Sequence, residues 1–123
     1  TAPFLSKETI DEAVFNLIIS RDHDSSMAVI KDYCYLWYGS GSPKNYDPLN
    51  IPNCVDLDPT ITETMGLYVI TKESLLKRKC RIGNNSILHE IPLRESIDIN
   101  TLEDFNFAEV ILAGNDAIKN EKR

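Results

Sequence analysis

Residues 95–105 read Glu-Ser-Ile-Asp-Ile-Asn-Thr-Leu-Glu-Asp-Phe. The first half is a short apolar run, residues 96–99, broken by one carboxylate at Asp98, and it predicts a strand. The second half predicts a helix start, with Thr101 as the cap and Asp104 three positions on, where a capping box closes. A strand running directly into a capped helix is the junction from which layered α/β domains are built. In open α/β sheets, ligands sit beyond the C-terminal ends of strands. A carboxylate there suits a hard cation such as Mg2+, which takes oxygen ligands and often bridges to phosphates. Asp98 also fits a plain turn cap.

Working outward, Leu102, Phe105, Ala108, Glu109 and Leu112 share one side of the last predicted helix. Gly114 stands where a C-terminal cap is expected, and residues 115–123 form a polar tail expected to fray. Upstream, residues 87–91 and 66–70 predict strands, and Thr71 predicts the cap of a short helix over 72–79 with Leu75 and Leu76 facing in. At the other end, Ser6 can cap a helix carrying Ile10, Ala13, Val14, Leu17 and Ile18 on one face and ending near Arg21. Residues 27–30 are a short apolar run that predicts a buried strand. Residues 33–38 are aromatic-rich and predicted extended. Residues 39–59 hold two Gly, four Pro, three Asn and three Asp, which predicts a long irregular excursion, and excursions of this length are usually functional or interface-forming. The order α, β, long loop, β, α, β, β, α predicts an α/β layered domain over residues 1–114 with part of its sheet missing.

With 13 Lys and Arg against 19 Asp and Glu, the 123-residue chain carries a net charge of -6. That excludes a general binder of nucleic acid or of an anionic membrane surface, because polyanions attract basic faces. No apolar run reaches the ~20 residues that span a bilayer. Residues 1–8 have neither the basic start nor the apolar stretch of a signal peptide. The cysteines Cys34, Cys54 and Cys80 are odd in number and widely spaced, which fits a reduced, cytoplasmic compartment. The absence of an initiator Met and the loop-like start are read as signs of a fragment.

Four stretches resemble, in order, the acylneuraminate cytidylyltransferase (CMP-sialic acid synthetase) family. Residues 96–101 resemble its Ser-Ile-Asp-Ile-Asp-Thr, followed by an acidic helix start and a later Ala-Glu, here Ala108-Glu109. Thr1-Ala2-Pro3-Phe4 resembles its Thr-Ser-Pro-Leu. Asp24-Ser25-Ser26-Met27-Ala28-Val29 resembles its Asp-Ser-Val-x-Ser-Val strand, and Gly66-Leu67-Tyr68-Val69-Ile70 its Gly-Ala-Ile-Tyr-Ile strand after a one-residue slip. The resemblance implies a three-layer Rossmann-like nucleotidyltransferase fold, present here as its C-terminal part. It implies an enzyme that joins CTP to an acidic sugar, giving a CMP-sugar and pyrophosphate with Mg2+ as cofactor. It implies a homodimer whose central excursion, here residues 39–65, crosses to the partner.

Carried over residue by residue, the resemblance makes Asp98 and Asn100 metal ligands, with Asn100 standing where the family has a second acid. Thr1 and Tyr68 become sugar-side or substrate-binding residues. The family's Gly-Arg-x-Gly-Ser-Lys loop, which cradles the CTP phosphates, is not in residues 1–123, so the chain alone is expected to be inactive. The family's Arg-x-Gln-Leu-Pro stretch is replaced by residues 54–59, which favours a different sugar, including one outside the sialic acid group. The alternative is a non-catalytic dimerisation or assembly module, or a degenerate homologue.

Other residues admit two readings each. Tyr68 can line a pocket or be an ordinary strand tyrosine. The basic run 77–81 can approach phosphates or be the solvated end of a helix, where cations suit the dipole. Tyr33, Tyr35, Trp37 and Tyr38 can form an interface or pack a sheet edge. His23 and His89 lack metal-ligand spacing, which argues against zinc.

Overall fold

In a computed structural model of the protein, residues 1–121 are described, with side chains as far as Gly114. Three helices, α1 (Lys7–Ile19), α2 (Lys72–Arg78) and α3 (Leu102–Glu121), accompany three strands, β1 (Ser25–Asp32), β2 (Thr60–Ile70) and β3 (Ser86–Glu90). Short 3-10 turns lie at Cys54–Asp56 and Leu93–Ser96. The sheet order is β2-β1-β3, with β1 antiparallel to β2 and parallel to β3. The chain is therefore mixed α/β, as its pattern predicts.

β1 is central and lies under cover on both faces. Ser25, Ser26, Ala28 and Val29 are all buried, the pattern of a strand with neighbours on either side. Its N-terminal end is tied down by the residue before it. The Asp24 carboxylate accepts from the backbone N–H of Asn84 and Asn85 and from the Ser74 hydroxyl, at 2.9, 2.9 and 2.7 Å. These bonds, led by that of Asn84, hold the Asp24 carboxyl well below the usual carboxylate range. They also explain why Ser74 is the buried residue of α2, while Leu75 and Leu76, expected to face in, are exposed. Gly83 passes so close that an added Cβ would lie 2.1 Å from an Asp24 oxygen, so only glycine fits beside the anchored carboxylate.

α1 is capped by Ser6, whose hydroxyl accepts from the Thr9 N–H. Its buried face is Thr9, Ala13 and Leu17. Ile10 and Ile18, expected inside, are 38% and 74% exposed. The cause lies at the helix start. The Glu95 carboxylate accepts from the Thr9 hydroxyl at 2.6 Å and from the Ser6 N–H and hydroxyl at 3.1 Å each. These bonds fix the rotation of α1 about its axis and turn Thr9 inward. Glu95 is 4% exposed. Burial alone pushes its pKa up, but the donors of Thr9 and Ser6 outweigh it, and the carboxyl titrates below its usual value.

Several expectations are corrected. Residues 96–99 form no strand. Ser96 closes a 3-10 turn by donating its hydroxyl to the Leu93 carbonyl, and the following chain runs alongside Thr1, with the Ile99 N–H bonded to the Thr1 carbonyl at 2.9 Å. Residues 33–38 lie outside the sheet, where Trp37 makes an isolated bridge to Pro43. The irregular excursion over 39–59 ends where expected, but the strand read as 66–70 is longer, since β2 begins at Thr60. Gly114 is not a cap, because α3 runs on to Glu121. Of the predicted polar tail, residues 115–121 belong to that helix and residues 122–123 lie outside the described residues. On α3 only Ala108 of the expected face is buried, while Leu102, Phe105 and Leu112 are exposed.

The chain exposes 9075 Å², against roughly 6,700 Å² for a compact monomer of this mass. Large apolar side chains are among those exposed: Phe15, Ile18 and Ile19 on α1, and Phe105, Phe107, Val110 and Leu112 on α3.

The Glu95 anchor has a measurable consequence. Its folded pKa is depressed, so its stabilisation is present above the unfolded value of ~4.3 and is lost as pH falls through the lower folded value. Glu95→Gln leaves the Ser6 and Thr9 donors facing an amide and lowers the unfolding free energy by about 2–3 kcal/mol, read by urea denaturation at pH 7. The difference from the unsubstituted protein shrinks as the pH drops below 4.

Candidate functional site

β2 carries a wide irregularity. Met27 pairs with Tyr68 and Val29 with Glu63, so residues 64–67 stand opposite Ala28 alone. Met65 takes up the bend with φ 62, in the left-handed region that costs a side-chain-bearing residue about 1–2 kcal/mol. The Thr64 hydroxyl donates to the Ala28 carbonyl at 3.0 Å and so satisfies an acceptor that the ladder misses. Bulges re-aim side chains, and this one folds Glu63 back onto Tyr68.

The Tyr68 hydroxyl donates to Glu63 and also contacts Met65 Sδ. Arg81 lies over the Tyr68 ring, 4.3 Å from its centroid, within the range of a cation–π contact. Its guanidinium is also 3.7 Å from Glu63 and 3.3 Å from Met65 Sδ. Burial, then the hydrogen bond to Glu63, pushes the Tyr68 pKa up to about 12, against a smaller lowering from Arg81.

The same bulge touches the first residues of the chain. A Cβ on Gly66 would lie 3.1 Å from that of Ala2. Next to Ala2, Thr1 meets the segment that follows the Leu93–Ser96 turn. The Asp98 carboxyl accepts a hydrogen bond from Asn100 Nδ2 at 2.9 Å, and the next residue, Ile99, donates its N–H to the Thr1 carbonyl at 2.9 Å. The nearby Thr1 side chain, then Asn100, holds it below the usual carboxylate range, so it is an anion at neutral pH. Asp98 is half-buried and Asn100 exposed.

The start of α3 follows at once. Asp104 accepts from the N–H of Asn100, the N–H of Thr101 and the Thr101 hydroxyl, while its own N–H donates to the Thr101 hydroxyl. The expected capping box is thus complete. Its carboxylate occupies backbone donors at the helix start that would otherwise face an anion.

Of the four residues singled out from the sequence, Asp98 and Asn100 are bonded to each other, and Thr1 is bonded to Ile99 between them. Tyr68 stands on the other side of the Ala2–Gly66 approach. Glu63 is a site residue without a place in the sequence reading, and Arg81 closes the basic run 77–81 that admitted two readings. Their signal was the Met65-Gly66 pair inside a strand pattern, since a glycine there marks a bulge or a close backbone approach. Asp98 lies in extended chain after a 3-10 turn, not at the end of a strand.

Among the described residues no three His, Cys, Asp or Glu side chains converge as a metal cage. The donors present are one ionised carboxylate and one amide. This set fits Mg2+ only in the mode in which one or two protein oxygens share the ion with substrate phosphates and water. Asp98 and Asn100 would hold it.

Compared with known proteins, the chain matches no protein-family model and no curated sequence.

The coupling of Tyr68 to Glu63 is open to titration. In a sample with labelled tyrosine rings, Tyr68 is expected to ionise later than ordinary tyrosines, near pH 12. Glu63→Gln removes the carboxylate and moves that midpoint down toward the ordinary ~10. An unchanged midpoint would show that the hydrogen bond does not hold Tyr68.

Proposed function

We propose that this chain is the sugar-side part of a cytidylyltransferase that activates an acidic sugar with CTP, in a Rossmann-like fold related to the CMP-sialic acid synthetases. The observation that carries the reading is the bond of the Thr1 carbonyl to Ile99, next to the ionised Asp98, because the two segments come from separate stretches of the resemblance and neither requires the other by sequence proximity. The Ala2–Gly66 approach adds a third stretch at the same place.

Each group has a role in that chemistry. Asp98 supplies the charge, and Asn100 a neutral oxygen, for an Mg2+ ion that arrives with the nucleotide. When bound, the ion neutralises charge on the phosphates and aligns the leaving pyrophosphate. Thr1 holds the Asp98 carboxylate in one orientation. Tyr68 keeps its proton at physiological pH and offers the sugar a neutral hydroxyl and a ring face. Arg81, fixed over that ring, presents a guanidinium to a sugar carboxylate, in place of the arginine that the sequence lacks upstream.

A second reading has its own support. The apolar side chains exposed on α1 and α3 fit an assembly module or a homodimer, because contiguous exposed apolar surface marks interaction sites. In that reading the aromatic cluster of the excursion, Tyr35, Trp37 and Tyr46 with ring centroids 5.0 and 6.2 Å apart, is an interface element.

One experiment separates the two. The protein in its full natural length is incubated with CTP, Mg2+ and a panel of acidic eight- and nine-carbon sugars, and pyrophosphate release is followed. The catalytic reading expects release with at least one sugar and a loss of at least about 100-fold in Asp98→Ala. No release with any sugar, from a protein that elutes as a stable oligomer, favours the module.

A further inference from the structure

We propose that Cys34 and Cys54 form a reversible disulfide that staples together the two ends of the excursion between β1 and β2, with a low-molecular-weight disulfide such as oxidised glutathione as oxidant. The inference stands apart from the cytidylyltransferase reading and does not depend on it.

The excursion leaves β1 at Tyr33 and returns to β2 at Thr60. Its two arms run side by side. Cys54 Sγ lies 2.5 Å from the Tyr33 carbonyl oxygen, and the Tyr35 hydroxyl donates to the Pro52 carbonyl at 2.7 Å. The two contacts bring Tyr33 against Cys54 and the Tyr35 hydroxyl against Pro52, and Cys34 lies between Tyr33 and Tyr35 in sequence. A third contact holds Cys34 at the base of the loop, where its sulfur is 3.9 Å from the Thr60 hydroxyl.

The distances admit a bond. The Tyr33 carbonyl oxygen and the Cys34 Cα belong to one planar peptide unit, about 2.8 Å apart. The Cys54 sulfur is therefore within about 5.3 Å of the Cys34 Cα on the same geometry. The two Cα atoms are then at most about 8 Å apart, and disulfides join Cα atoms roughly 4.4–6.8 Å apart, so side-chain rotation with an approach of the arms of about 1–2 Å at most brings the sulfurs together. Both thiols are half-buried, within reach of a small oxidant, whereas Cys80 is exposed and follows α2.

The chemistry is two exchange steps. One cysteine thiolate attacks a sulfur of glutathione disulfide, and the S–S bond breaks to leave a mixed disulfide and one glutathione thiolate. The second cysteine thiolate attacks the protein sulfur of that mixed disulfide and expels the second glutathione. The protein gives up two protons and two electrons, and glutathione disulfide takes up both to become two thiols. The closed loop would hold Tyr35, Trp37 and Tyr46 against the sheet base. In a reducing compartment the bond is absent, and it forms when the glutathione pool is oxidised.

The test uses the folded protein, fully reduced and then exposed to oxidised glutathione, with free thiols alkylated before intact-mass and peptide analysis. The expected product is two hydrogens lighter in the protein part, has one bridge joining Cys34 to Cys54, and leaves Cys80 as the site open to glutathione or alkylation. In Cys34→Ser and Cys54→Ser the remaining partner is expected to stay trapped as a stable glutathione adduct. In denaturant the preference for the 34–54 bridge disappears. A bridge to Cys80, or stable glutathione adducts on both Cys34 and Cys54 of the unsubstituted folded protein, overturns the proposal.

Discussion

One buried carboxylate organises the molecule. Glu95 reaches from the turn after β3 to the start of α1 and takes three donors from Ser6 and Thr9. Helix starts leave unpaired N–H groups that favour negative charge, so an anion here both caps α1 and ties two distant stretches together. Because Thr9 must face Glu95, the helix presents Thr9, Ala13 and Leu17 to the sheet and turns Ile18 to solvent. The same tie fixes where residues 96–100 run, and so where Asp98 stands beside Thr1. At the other end of β1, the Asp24 carboxylate does comparable work with backbone donors from the β3 approach.

The second organising feature is the irregularity in β2. A regular strand would leave residues 63 and 68 facing opposite sides of the sheet, since side chains alternate. The bulge brings Glu63 onto Tyr68, recruits Arg81 from the turn after α2, and lets Ala2 approach at Gly66. The polar groups of the candidate site thus converge through backbone distortion, at a conformational cost borne by Met65.

What was legible in the sequence is what depends on neighbours along the chain. Ser6, Thr71 and Thr101 cap the helices they were expected to cap, because a cap is a bond over three residues. β1 and β3 appear close to their apolar runs. What was illegible depends on distant partners. The rotation of α1 follows from Glu95. The outward turn of Leu75 and Leu76 follows from the bond between Ser74 and Asp24. The segment at Ser96 to Ile99 reads as a strand by composition, yet the 3-10 turn closed by Ser96 and the pairing with Thr1 decide otherwise. For the candidate site, Asp98, Asn100 and Tyr68 came from the sequence, as did Arg81 within the basic run 77–81, while Glu63 and the place of Arg81 over Tyr68 became visible only through the bulge.

The most direct test of the central claim is where a divalent ion goes. Adding Mn2+ together with CTP to the isotope-labelled protein broadens the amide signals of residues within about 15 Å of the bound ion, a range set by paramagnetic relaxation and equal to roughly ten residues of helix rise. The expected result is selective loss of the signals of Ala2, Asp98, Ile99, Asn100 and Thr101, which Asp98→Ala restores. Broadening centred elsewhere, or a pattern that Asp98→Ala leaves unchanged, contradicts a metal–nucleotide site at this carboxylate.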